Sequence, residues 1–464
     1  MRSAVLLSSV AFLTVAAVAA CSSSPSGAAS GPDGGGDDAS AEGGAGDGGS
    51  EGSTGDAGDA GADVDNGAPS TNYPAPHPPL PQLVNKAGGP VLTTPHAYLV
   101  FYPGYPYETQ LQTFAQKMAA ATYWATTTQE YGVGALTYAG TIDLTNETPP
   151  QSTTSTAIQS WIAGEIQGGK FGTPDPEAIY TVFYPQSTTI TQPNPISTLL
   201  PAPQSCVAFG GYHDNAAVSL GDGGTPTNFA YAVIPTCNTS VDSLTSVVSH
   251  EWVEASTDPF LTSTGAFTIN GGPDAAFYST DADHTIWALM GGGEAGDLCE
   301  PEGSPIYVTP PDVGNAVQRT WSNVLAQGSH DPCTPAIAGA FFDSAPVLPD
   351  TVTFTSSITG TITTRGTTIP VGQSKTIEVD LFSDGDTGGP WTVSADDVLS
   401  HYYGSYGLAK SMSFAWDRTQ GVNGEKLHLT ITVTSASVIG GGHAFMITST
   451  KGGRQTVWPG MIVE

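Results

Sequence analysis

Two rhythms of apolar residues divide the chain. In the first, short continuous runs alternate with segments whose apolar residues recur every third or fourth position. "HAYLVFYP" (His96–Pro103), "AIYTVFYP" (Ala178–Pro185) and "NFAYAVIP" (Asn228–Pro235) are the runs. Their length and their β-branched and aromatic content predict buried strands. Leu111, Phe114, Ala115 and Met118 fall at helical spacing, as do Ile158, Ile162 and Ile166. Strands alternating with helices predict a mixed α/β domain, here over residues 89–344. From about Pro349 the period drops to two: Val352, Phe354 and Ile358; Ile377, Val379 and Leu381; Met412, Phe414 and Trp416; then Leu427, Leu429, Ile431 and Val433. Turn signals such as "SDGDTGG" and "GVNGEK" separate these runs. About six or seven short alternating strands predict an all-β, immunoglobulin-like sandwich over residues 345–464, acting as a spacer or binding module.

The N-terminal region fits neither rhythm. "MRSAVLLSSVAFLTVAAVAAC" has a basic Arg2, an apolar run from Ala4 to Ala20, and small residues directly before Cys21. The run is short for a membrane span. It resembles a bacterial lipoprotein signal over residues 1–20, with Cys21 as the lipidated residue. That resemblance implies a lipid-anchored protein of the cell envelope whose first partner is the membrane itself. Ser22 beside the anchor points to the outer membrane or cell surface. From Ser22 the sequence is Gly, Ala, Ser, Asp and Pro with almost nothing to bury, so residues 21–88 are expected to form a disordered acidic stalk, stiffer at "YPAPHPPLPQ".

Charge narrows the partners. The net charge is −31, with only 12 Lys plus Arg. Phosphate neutralisation needs basic clusters, so nucleic acid is excluded as a partner, as is electrostatic docking onto anionic lipid. The chain has five cysteines. Setting Cys21 aside leaves Cys206, Cys237, Cys299 and Cys333, an even number in a chain expected to be exported. Their order suggests two local bridges, Cys206–Cys237 and Cys299–Cys333, although four cysteines allow three connectivities.

Candidate chemistry centres on "SVVSHEWVEASTDP" (Ser246–Pro259). Apolar residues at 244, 247, 248 and 253 predict a helix with Asp242 as N-cap, ending at Asp258 because Pro259 disfavours helix before it. On that helix His250 and Glu254 lie one turn apart on one face, where two side chains can share a metal ion. Glu251 projects about 100° away, where it can serve as general base on a water, the logic of H-E-x-x-H zinc peptidases. Carboxylate oxygen is an acceptable zinc ligand, so Glu254 in the second position is chemically allowed. A third ligand is sought in the Gly-rich "GGGEAGDLCEP", which offers Asp297 or Glu294, with Asp258 and the His213 of "GGYHD" as further candidates. The ordinary alternatives are turn or capping roles for Asp297 and Asp258, and a hydrogen-bonded core histidine at 213. His284, His401, His428 and His443 read as structural.

The ordered blocks "GGYHD", "YAVIPTC", "SHEWVEASTDP", "GEAGDLCEP" and "WSN" resemble the phosphate-induced protein 1, or EXORDIUM-like, family of extracellular proteins. The likeness runs from roughly Thr94 to Pro335, and its specific part is the 246–300 region. It implies an extracellular α/β domain with a zincin-like mixed sheet and helices, and points to His250, Glu251, Glu254, Glu294 and Asp297 as the functional cluster. Ala208–Gly211 stands where the family's block begins with cysteine, which weakens the transfer to His213. Two functions follow as expectations. One is a surface-anchored, zinc-dependent, peptidase-like hydrolase acting on extracellular peptide. The other is a non-catalytic adhesion or polysaccharide-binding protein with a structural metal such as calcium; eight Trp and 17 Tyr suit stacking on sugars but equally suit cores.

Overall fold

The computed structural model describes residues 65–85, 88–194, 200–219, 225–261, 276–301, 305–356 and 360–464. The proposed signal, Cys21 and most of the acidic tract lie outside the described residues, as does Ile358.

The apolar runs form the central sheet. β1 (His96–Phe101), β2 (Thr137–Asp143), β3 (Ala178–Tyr184), β4 (Tyr212–Val218) and β5 (Thr227–Pro235) pair in the order β2-β1-β3-β5-β4. All neighbours are parallel except β4, which runs antiparallel to β5 with His213 opposite Ala232. β3 is buried along its whole length, which is why it reads as a continuous apolar run. α1 (Glu108–Ala120) buries Leu111, Phe114, Ala115 and Met118, and α3 (Ser155–Gln167) buries Ile158, Ile162 and Ile166, with α2 (Thr122–Thr128) between them in the chain. The expected mixed α/β domain is present.

α4 (Val241–Thr257) carries the H-E-x-x-E motif and packs on β4 and β5. It starts one residue before the expected cap. Ser240 occupies the N-cap position, and Asp242 instead lies in the first turn, where its Oδ1 accepts from the Ala316 N–H and the Asn315 amide. Two bonds to a distant loop outweigh one to its own helix end. The C-terminus falls at Asp258, as Pro259 dictates. Both expected disulfides are formed, Cys206–Cys237 and Cys299–Cys333, each with Cα atoms 5.0–5.8 Å apart.

The period-two region forms two sheets. β6 (Phe342–Pro346), β9 (Ser374–Ser383), β12 (Lys426–Val433) and β11 (Met412–Trp416) make one, in the order β6-β9-β12-β11. β7 (Asp350–Ser356), β8 (Gly360–Thr368), β14 (Arg454–Val463), β13 (Gly442–Lys451) and β10 (Trp391–Asp397) make the other, ordered β7-β8-β14-β13-β10 with Gln420–Gly421 at the edge. Pairing is antiparallel apart from the short β8–β14 contact. Val379, Leu429 and Ile431 from the first sheet share a core with Val393, Phe445 and Ile447 from the second.

The C-terminal sheets do more than hang from the α/β domain. α5 (Thr285–Gly291) lies against β8 and β14. Trp287 meets Trp321 at 5.6 Å and Trp458 at 5.4 Å between ring centroids, both edge-on. One apolar core therefore runs from Leu99 in β1 to Trp458 in β14.

The stalk requires a correction. Its distal part, placed at residues 66–85, is docked against both regions. Asn423 holds it with a full set of bonds: Nδ2 donates to the Ser70 and Asn72 carbonyls, and Oδ1 accepts from Ala75 N–H and Ser383 N–H. His77 stacks on Phe382 at 3.5 Å, and Leu80 and Leu83 are buried. Leu83 exchanges two hydrogen bonds with the Asn323 amide, and Val84 N–H donates to the Ser279 carbonyl. Composition misled here because proline both suits a solvated extended chain and removes N–H donors that burial would strand. Asn423→Ala is expected to cost roughly 2–4 kcal/mol in urea unfolding and to open the 66–85 segment to limited proteolysis.

Candidate metal centre

Three pieces of chain build the site: α4, the edge strand β4, and the loop that follows α5. α4 is fixed in rotation by Trp252, which is fully buried and donates from its indole N–H to Thr181 Oγ1 of β3 at 2.7 Å. With Val248, Trp252 and Ala255 committed to the core, the residues on the flanking faces point toward β4 and the loop. Glycine permits the close approach on both sides. A Cβ at Gly211 would stand 2.5 Å from Val247 Cγ1 and 2.7 Å from Glu251 Oε1; one at Gly296 would stand 2.5 Å from His250 Nδ1 and 2.6 Å from Glu254 Oε1. Gly292 has φ +119°, a conformation side chains rarely adopt, and a Cβ there would collide with the Asp297 carboxylate. The loop is held from behind by the Cys299–Cys333 bridge, by Trp321 N–H to the Ala295 carbonyl, and by the Gln318 amide to the Gly296 carbonyl.

Within this frame the donor atoms fall into two sets. His250, Glu254 and Asp297 form one, and His213, Glu251 and Glu254 the other, with the ligating atoms of each set all within 4.8 Å of one another. His250 Nε2 is 3.0 Å from Glu254 Oε2 and 3.8 Å from Asp297 Oδ1. His213 Nδ1 is 3.5 Å from Glu251 Oε2 and 3.6 Å from Glu254 Oε2. The other oxygen of Glu254 accepts from the backbone N–H groups of Gly296 and Asp297 at 3.0 Å each. That pins Oε1 and leaves Oε2 aimed at both imidazoles.

The sequence candidates thus separate. His250 and Glu254 lie together as helical spacing implied, and of the four candidates for a third partner Asp297 is the one that meets them both. Glu294 belongs to neither set; its Oε1 lies 3.2 Å from His213 Nε2 but off the line a hydrogen bond requires. Asp258 also stands outside both sets: Oδ1 accepts from Ala276 N–H at 2.7 Å, and Oδ2 is buried without a hydrogen-bond partner among the described residues. Glu300 was not singled out from the sequence. It is half-buried, with one oxygen shielded and unbonded, and close enough to His250 to act on its charge. Its signal was only adjacency to Cys299.

Electrostatics define what the cluster lacks. Glu251, Glu254, Asp258, Glu294 and Asp297 are each at most 5% exposed, and His213 and His250 at most 9%. Burial raises the pKa of Asp297, reinforced by Glu254 and Glu294, and that of Asp258, reinforced by Glu294. Burial pushes Glu294 and Glu300 up to about 7 despite nearby imidazoles. Burial opposes charge on His250 and His213, but Glu254 and Glu294 respectively outweigh it and hold both imidazoles well above their usual range. Glu254 is also penalised by burial, yet His250 holds it below the usual carboxylate value. The strongest charges acting on each carboxylate of the cluster come from Glu, Asp and His, never from Lys or Arg. Two imidazoles are the nearest positive charge for five buried acids. Among the described residues the buried atoms His213 Nε2, His250 Nδ1 and Glu294 Oε1 have no hydrogen-bond partner, and the two donor sets could each hold a metal ion.

Compared with known proteins, the chain matches no family model and no curated protein sequence. Gly296→Ala is expected to cost about 1–3 kcal/mol in urea unfolding, because the new methyl would stand within 2.6 Å of both His250 and Glu254.

Proposed function

We propose that this protein is an exported, membrane-anchored, zinc-dependent hydrolase of peptide bonds with a zincin-like core. The observation that supports it most is the convergence of His250 Nε2, Glu254 Oε2 and Asp297 Oδ1 in a buried cluster of acids that no Lys or Arg among the described residues meets. One imidazole and two carboxylates suit zinc, whereas calcium prefers an all-oxygen shell. When bound, zinc supplies a Lewis acid that polarises a carbonyl and acidifies water. Glu251 then acts as general base. Burial raises its pKa toward the range where a carboxylate both accepts a proton efficiently and returns it to the leaving amine. His213 faces Glu251 Oε2 and fixes its orientation.

β4 suggests the substrate. It is the edge strand of the central sheet, paired among the described residues only with β5, and it passes beside the cluster. An extended peptide can add to such an edge and so be led across the site. The C-terminal sheets, read as an immunoglobulin-like sandwich, buttress the loop and bring α6 (Val398–Tyr403) near it: the charge of Glu300 adds to burial in raising Tyr402 to about 12. Export is supported by the two disulfides.

The purified protein is expected to hold zinc, and His250→Ala to hold less; equal zinc in both would sink the proposal. Glu251→Gln is expected to keep the ion of His250, Glu254 and Asp297 while losing roughly 10²–10⁴ of the rate on a mixed peptide library. A second reading has its own support: every donor is nearly inaccessible, which suits an ion that staples the loop to α4 in a non-catalytic surface protein. Zinc retained with no hydrolysis by the wild type would favour that reading. Cys21→Ser is expected to move the protein from the membrane to the soluble fraction; unchanged membrane recovery would refute lipid anchoring at that residue.

A further inference from the structure

The hydrolase reading uses one set of donors and leaves the other unexplained. His213 is 6% exposed, comes from a different element than the motif helix, and has carboxylate oxygens within 3.6 Å of both ring nitrogens. Among the described residues its Nε2 and the facing Glu294 Oε1 have no hydrogen-bond partner, although both are fully shielded from water. A core histidine with a purely structural role would satisfy these atoms.

Distances separate the two sets. Zinc bonds its ligands at about 2.0–2.2 Å, so the donors of one ion lie within about 4.4 Å of each other. His213 and Glu251 group with Glu254, and His250 and Asp297 group with Glu254, but the five do not form a single set. The shared residue is the one best placed to bridge. Glu254 Oε1 is held by two backbone N–H groups, and Oε2 lies 3.0 Å from His250 Nε2 on one side and 3.6 Å from His213 Nδ1 on the other.

We infer that the protein binds a second divalent cation through His213, Glu251 and Glu254, making Glu254 the bridge of a two-metal centre. This rests on the first ion being held as proposed above. His213 would ligate through Nδ1, and Glu294 Oε1, 3.2 Å from Nε2, is near enough to accept from Nε2–H once a bound ion turns the ring into line, fixing the tautomer as carboxylates behind metal-bound imidazoles do. Glu251 commits Oε2 to the ion, while Oε1 turns toward Gly211 and stays available as a base. Two ions bridged by one carboxylate oxygen sit at the spacing, about 3.5–4 Å, that two-metal hydrolases use.

The test is metal stoichiometry on the full chain, using zinc alone in equilibrium dialysis and manganese for spin-coupled paramagnetic resonance. The wild type is expected to bind two ions, His213→Gln one and His250→Gln one, with the manganese coupling lost in each variant. Near-UV circular dichroism on both variants reports folding. Should His213→Gln misfold, Glu294→Gln is expected to weaken the second ion alone, by on the order of 10-fold or more. One ion in the wild type, lost in both histidine variants, would mean that His213 completes a mononuclear site and would overturn the second ion. One ion lost only in His250→Gln would overturn it as well. No ion in the wild type would remove the hydrolase reading along with this one.

Discussion

Five carboxylates buried beside one another, with no Lys or Arg among the described residues to meet them, are the constraint around which the α/β domain is organised. Two like charges at 4 Å cost about 4 kcal/mol even at an effective dielectric of 20, and burial adds a desolvation penalty to each. Such a cluster does not assemble because it is stable; the surrounding fold must force it. The means are visible on every side. Trp252 locks the rotation of α4, the antiparallel β4 lays His213 against it, and a glycine-rich turn closed by a disulfide presses Asp297 in from the opposite direction. A cation held there as proposed would turn this repulsion into attraction for the carboxylates it meets.

Much of the rest follows from the need to hold that turn. The loop after α5 has little side-chain bulk of its own, since glycines at 292, 293 and 296 are what let it approach. Its rigidity is therefore borrowed. Trp287 on α5 is clamped between Trp321 and Trp458, which couples the loop to the C-terminal sheets. The docked segment before β1 ties the same region down through Asn323, Asp281 and Asn423. A C-terminal region that looks like a separable accessory in sequence becomes a wall of the site's frame.

How much of this was legible beforehand depended on whether one local pattern carried the information. The strands β1, β3 and β5 and the helices α1 and α3 were readable because burial on both faces, or on one face, writes a direct period into the chain. His250, Glu254 and Asp297 were readable because helical spacing and a glycine-rich acidic turn are local too. β13 and β14 were not. Their ten-residue spans are buried on most positions, and β14 contains Pro459 and Gly460, which argue against a strand until the Phe445 ring is seen packing over Gly460. The docking of residues 66–85 was equally hidden, because its partner Asn423 lies some 350 positions away and no composition rule anticipates it.

His213 shows where sequence reading and geometry differ most in kind. In the chain it is one histidine in "GGYHD", two residues after a glycine, and a core role is the sensible expectation. Gly211 is the reason it reaches the motif helix: without a side chain there, β4 approaches α4 closely enough for the imidazole to meet Glu251 and Glu254. The glycine and the histidine belong to one device, as do Gly296 and the His250–Glu254 pair on the other side of the helix. α4 is thus approached from two directions by glycine-led backbone, and Glu254 is the residue both approaches reach. A motif with glutamate where zinc helices more often place a second histidine acquires a physical rationale. A carboxylate offers two oxygens, one for the backbone N–H groups of the loop and one for the imidazoles, where an imidazole's single free nitrogen can face only one ion.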